Sequence, residues 1–204
     1  MALPGDFTGH TQILVARERS RASGVLANES FELGPYGVRD VTRDWSSTEE
    51  ATSGDVTTSD TGGGYAYVLR GGESRLDGRC SARSGGAEMD LGEGWSLSSS
   101  FRARLECECG PVASLKLEHD GESFVGTLSH RNRVYDLRAI TTLEGGSDQR
   151  EPAGYRVDGD EPLAAVEVQH PGRVWLKPDV DEPGRAELAC LLVGLMLYRL
   201  PSER

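Results

Sequence analysis

Lysine is nearly missing from this chain: only Lys116 and Lys177 occur, and Lys plus Arg total 22 against 33 acids, a formal charge of −11. A surface this acidic excludes nucleic acid and an anionic bilayer as default partners, since both are polyanions. Histidine is scarce as well, at His10, His119, His130 and His170, which leaves few groups for proton transfer near neutral pH. Four cysteines, Cys80, Cys107, Cys109 and Cys190, are too sparse in 204 residues to suggest a disulfide scaffold. Cys190 sits in an apolar run and reads as a small hydrophobe, so a reduced, cytoplasmic setting is expected. The opening MALPGDFTGH lacks a basic stretch followed by an apolar core, so no signal peptide is expected. Apolar residues make up only 37% beside 26 glycines, a pairing that favours short strands and many turns over a helix bundle.

One long apolar run is present. Residues 186–200, AELACLLVGLMLYRL, contain good helix formers, with Glu187 in the first turn and Arg199 in the last, where the helix dipole favours those signs. The helix has almost no polar face and must therefore be enclosed by protein or lipid. About fifteen residues fall short of the roughly twenty that span a bilayer, so integral membrane insertion is not expected. At 1.5 Å per residue the helix covers about 22 Å, similar to a ring of six- to eight-residue strands. A plug inside a barrel is the preferred placement; a helix on one open sheet face and a tail anchor remain as alternatives.

The rest of the chain reads as strands. Gln12–Ala16 is a first short one, and 24–33 and 36–45 follow, the latter with a change of phase between Val38 and Val41 that suggests a bulge or a strand end. Residues 1–23 are expected to be a flexible N-terminal segment ahead of one domain, 24–204. Segment 46–64, almost all Ser, Thr, Gly and acid, is expected to be a mobile polar loop, because it carries too little apolar area to offset the entropy of ordering. Strands at 65–69 and 75–80 come next, with Gly85-Gly86 opening the following connection. Trp95 to Glu108 alternates over fourteen residues, with Trp95, Leu97, Ser99, Phe101, Ala103, Leu105 and Cys107 on one face. Further strands follow at 113–119, 123–129, 133–143, 154–157, 162–169 and 173–176; Asp120-Gly121 gives the strongest hairpin turn signal. The fold class expected is mainly β, an antiparallel closed or nearly closed barrel with a buried hydrophobic C-terminal helix.

The succession of a strand, a His-Pro-Gly turn at 170–172, VWLKPDVD at 174–181 and a closing apolar helix resembles the tubby-like superfamily, which includes LURP-one-related proteins and phospholipid scramblases. The resemblance is best over 154–200 and architectural over 65–143. It implies roughly twelve antiparallel strands closed around a buried helix, and a non-catalytic module that binds lipid, membrane or protein. Two family features are not carried over: the cationic head-group pocket, since this chain is acidic, and the calcium segment, since Asp179, Asp181 and Glu182 lack a spaced ligand loop.

Candidate chemistry is thin, and no cofactor or metal is expected. Cys107 and Cys109 with His119 and His130 could be drawn as a zinc site, but the two cysteines share one strand face and read as buried thiols. No histidine falls beside a nucleophile elbow, and Gly62–Gly64 lacks the Lys-Ser/Thr of a phosphate loop. An enzyme is not expected, a hydrolase with its site in the barrel mouth being the remaining alternative. Arg102, Arg104, Arg131, Arg133 and Arg138 could form a cationic partner-binding patch; the competing reading pairs Arg102 and Arg104 across strands with Glu106, Glu108, Glu118 and Asp120. The function expected is an intracellular binding or scaffold domain for a protein or lipid partner, with a peripheral membrane protein as the alternative.

Overall fold

Strand residues that alternate between apolar and polar build a wall with a dry and a wet side, and here the dry sides all face one helix. The computed structural model of the protein describes residues 1–3, 5–19, 29–44, 47–92, 95–98, 102–119, 122–149 and 151–198. In chain order the elements are α1 (Gly5–Thr8), β1 (Gln12–Arg17), β2 (Phe31–Leu33), β3 (Tyr36–Arg43), β4 (Ser47–Ser53), β5 (Val56–Gly71), β6 (Ser74–Gly92) and β7 (Trp95–Ser98). They continue with β8 (Arg102–Cys109), β9 (Ala113–His119), β10 (Phe124–His130), β11 (Arg133–Ile140), β12 (Gly154–Asp158), β13 (Pro162–Glu167), β14 (Arg173–Leu176) and α2 (Glu182–Leu197). Twelve strands close an antiparallel barrel in the order β5-β3-β2-β1-β14-β13-β12-β11-β10-β9-β8-β6, with β6 pairing back onto β5. The fold class expected from sequence is the one found.

Helix α2 fills the barrel, buried at Gly184, at Ala186 and throughout 188–197. It starts four residues earlier than the apolar run suggests. Asp181 is the N-cap, its carboxylate accepting from the Gly184 amide at 2.9 Å, and Pro183 sits in the first turn, where a missing N–H costs nothing. At the other end Arg19 donates to the Met196 carbonyl and Arg43 to the Leu197 carbonyl, placing cations at the negative pole of the helix. Arg199 and Leu200 lie outside the described residues. Two wall hydroxyls also reach the helix backbone: Tyr65 donates to Gly194 O and Tyr67 to Cys190 O, each at 2.7 Å. Gly194 is packed so closely that an added Cβ would sit 2.9 Å from Cys107 Sγ and 3.0 Å from Cys80 Sγ.

Several expectations are corrected. The N-terminal segment is a docked element: β1 is a wall strand between β2 and β14, and Met1 and Phe7 pack with Ala153, Ala165 and Trp175 on the outside of the barrel. Residues 20–28, including the start of the strand expected at 24–33, lie outside the described residues. Segment 46–64, expected as a loop, supplies β4 and the first part of β5, joined at Gly54 (φ +61°). Its threonines suit a strand, and its polar character reflects two wet faces rather than irregular backbone. Gly85-Gly86 runs inside β6 for the same reason. The phase change in β3 is a bulge between Arg39 and Thr42 with Asp40 at φ 52°, the first of the two alternatives the pattern left; Trp45 lies outside the described residues.

The cysteines are not free thiols. Cys80 and Cys107 are joined across β6 and β8, and Cys109 is joined to Cys190 of α2, leaving no free cysteine. The spacing of Cys107 and Cys109 turns both inward, and on that side one meets the neighbouring strand and the other meets the helix. The isolated protein, denatured without reductant, is therefore expected to show no reaction with a thiol reagent. A titration of four thiols per chain would restore the reading of reduced, unpaired cysteines.

Candidate functional site

The five arginines of the expected patch do not converge. Arg102 and Arg104 lie on the outer side of β8, and Arg104 shares a cross-strand row with Glu118, Val125 and Arg138. Three strand spacings separate Arg104 from Arg138, about 14 Å. Arg131 and Arg133 belong to the β10–β11 turn near the N-terminus of α2, where Arg131 (φ 49°) and Asn132 (φ 66°) make the reversal. Arg104 pairs with Glu106 and lies 3.6 Å from Glu118, while Arg138 pairs with Asp136 at 3.0 Å. Arg104 thus pairs along its own strand with Glu106 and, at longer range, across strands with Glu118; Phe101 and Asp120 lie outside the described residues.

Arg131 belongs to a clamp on the helix start. Its guanidinium holds Asp181 at 2.8 Å and Glu187 Oε2 at 3.0 Å, and His130 Nε2 lies 2.7 Å from the same Glu187 oxygen. The Arg131 guanidinium, and after it the Gly184 amide, keeps the Asp181 carboxyl below the usual carboxylate range. His130 is buried, and the carboxylate that it meets is shared with Arg131, so the acid–base contact sought for a hydrolase is committed to the helix terminus. His119 packs its ring on Phe124 at 4.4 Å. Cys107 and Cys109 are committed to different disulfides, and among the described residues no group of three His, Cys, Asp or Glu side chains could hold a metal ion.

The feature that sequence reasoning missed is a flap. Strands β5 and β6, 16 and 19 residues long, pair along all of β5 and residues 74–89 of β6 and overshoot the ring; β4 continues along β5 where β3 stops, and β7 along β6 where β8 stops. The result is a four-stranded sheet, β4-β5-β6-β7, standing above the barrel wall. Tyr65, Tyr67 and Cys80 face the barrel interior, so alternation carries Val56, Thr58 and Asp60 of β5 and Gly85, Ala87 and Met89 of β6 onto the outer side. Val56, Met89 and Leu97 stand in one cross-strand row, with Trp95 two residues along β7 from Leu97.

That row is wet. Trp95 is 70% exposed, Leu97 62%, Leu91 60% and Met89 42%. Sequence alternation placed Trp95 and Leu97 with the core residues Ala103 and Leu105, but the pairing of β6 with β7 is shifted by one residue relative to its pairing with β8. A shift of one exchanges the two faces of a strand. On the same outer face, nearer the barrel, Glu49 and Asp60 stand directly opposite each other. Like charges so placed destabilise a strand pair.

A cavity of about 230 Å³ lies at the flap's base, between Arg43, Gly64, Tyr65, Ser84 and Tyr198. Arg43 is already committed there, 2.8 Å from Glu29, 2.9 Å from Leu197 O and 5.2 Å above the Tyr65 ring. Burial pushes the Tyr198 phenol up to about 12, so its hydroxyl remains protonated at neutral pH.

Comparison with protein-family models, curated proteins and solved structures yields no match to this chain. The fold places the protein among helix-filled antiparallel barrels. Among the described residues no helix is long and apolar enough to cross a membrane.

Proposed function

We propose that the protein is a non-catalytic binding or scaffold domain of tubby-like architecture, in which the helix-filled barrel is a rigid support and the flap is the contact surface. The observation that carries this reading is the exposed row of Met89, Leu91, Trp95 and Leu97. Apolar side chains clustered on an exposed sheet face mark interaction sites in soluble domains. The barrel interior is taken up by α2, which directs ligands to the outside. The cytoplasmic expectation drew on unpaired thiols, and the two disulfides remove that support, since such bonds persist in oxidising compartments.

The test is site-specific photo-crosslinking in cells that express the protein. A photoreactive residue replacing Leu97 is expected to capture a discrete partner, while the same residue replacing Thr127, exposed on the outer wall three strands from β6, captures none. Equal capture at both positions, or capture at neither, would overturn the assignment of the flap as a binding surface.

A further inference from the structure

The exposed row on the flap runs out at an edge. Among the described residues β7 ends the sheet, with no strand beyond it to take its outward N–H and C=O groups. Such an edge is a template for another strand unless charge, proline or a bulge blunts it. The flap's two edges differ in this respect: β4 carries Glu49 and Glu50, whereas β7 reads Trp-Ser-Leu-Ser, with no charge and no proline. Trp95 points the same way. Its cross-strand neighbour on β6 is Gly92, which has no side chain to cover the indole, and Trp95 stands 70% exposed.

Resting on the reading of the flap as a contact surface, we propose that two copies of this chain join flap to flap, β7 against β7, in an antiparallel two-fold contact centred on Ser96. Residues directly opposite in an antiparallel pair share a face, so this centre sets Trp95 of each copy opposite Leu97 of the other. The row Val56–Met89–Leu97 then continues into Trp95 of the second copy, and its mate runs the other way. A centre between two residues would set outer positions against inner ones, which the pleat forbids. Charge decides between this arrangement and stacking of the two flaps face to face. Segments 44–69 and 84–101 hold acids and no Lys or Arg, and stacked sheets lie only about 10 Å apart. Edge pairing leaves three strand spacings, about 14 Å, between the Asp90 positions of the two copies, beyond the roughly 8 Å over which charge acts in physiological salt. The contact uses the unblunted edge of each copy, so the assembly closes at two. It is small, and the dimer is therefore weak and reversible.

Sedimentation velocity of the full-length protein from about 10 µM to about 1 mM, the range of weak contacts, tests this. A monomer–dimer equilibrium is expected, tightening as salt screens the net charge of −11. Leu97→Asp should weaken it at least tenfold and, because Leu97 is exposed, melt with the wild type. Cysteine substitution fixes the register. The two position-96 Cα atoms would lie about 5 Å apart, within disulfide reach, so Ser96→Cys yields a covalent dimer on mild oxidation. The position-98 Cα atoms would lie about 14 Å apart, and Ser98→Cys yields none. A chain that stays monomeric, oligomers larger than two, dimers that salt dissociates or that ignore Leu97→Asp, or equal cross-linking at 96 and 98 would overturn the proposal. If the purified chain is monomeric while photo-crosslinking at position 97 in cells captures another protein, the flap remains a binding surface and only its occupant is refuted.

Discussion

Leu192→Asp yields no folded protein: the variant is insoluble on expression, and the refolded chain shows no cooperative thermal transition. Leu192 is fully buried in α2, with its neighbours Leu191 and Val193 equally so, and strands surround the helix. A carboxylate there has no path to water and no cation to meet. It must either remain charged in an apolar interior or take up a proton and leave a polar group unpaired, and each option costs several kcal/mol. Total stability is only about 5–15 kcal/mol. Leu192→Met, which preserves volume, should cost less than about 1.5 kcal/mol, and Val125→Asp on the exposed outer wall should leave the melt unchanged. Wild-type melting of Leu192→Asp would rule out the helix as the enclosed core.

The second large effect belongs to the bond between Cys109 and Cys190, which closes a loop of 81 residues in sequence and fastens α2 to β8. Loop-closure entropy assigns it about 4.5 kcal/mol, against about 3.6 kcal/mol for the shorter Cys80–Cys107 loop. Replacing Cys109 and Cys190 by alanine should lower the melting temperature by roughly 10–15 °C for a domain of this size. The Cys80 and Cys107 double variant should lose less, since its loop spans 27 residues. Calorimetry of both variants, with and without reductant, checks the order; a wild-type protein indifferent to reductant would show that the cross-links contribute nothing.

The barrel and its plug were legible because they rest on strong contrasts. Residues 154–176 alternate between clear turns, and α2 lacks any polar stripe, so both the strands and the enclosure of the helix follow from side-chain pattern. The start of the helix was not legible, because Pro183-Gly184 reads as a break unless Asp181 is known to cap it. The flap was hidden for a different reason. Its strands are wet on both faces around the Ser, Thr and Gly stretch, so the backbone pairing that orders them leaves no hydrophobic trace. The reversal of Trp95 and Leu97 escapes notice because sequence alternation runs unbroken from Trp95 to Cys107, while β7 and β8 pair with β6 in registers that differ by one residue. The arginine patch failed on distance: residues close in the list of strands are separated by β9 and β10. Disulfide pairing depends on which inward residue faces which neighbour, and spacing alone does not contain that information.

A helix that is apolar all round has no hydrophobic reason to prefer one angle about its own axis, and a smooth barrel could accept it at several. The Tyr65 and Tyr67 hydroxyls remove that freedom. Both are buried donors that must find acceptors, and only one setting of α2 presents the Cys190 and Gly194 carbonyls to them. Turning the helix by one residue, about 100°, strands two phenols at about 1–3 kcal/mol each. The pair works as a key and slot beside the Cys109–Cys190 bond: oiliness puts the helix in the barrel, and two hydroxyl contacts and one cross-link decide which way it faces.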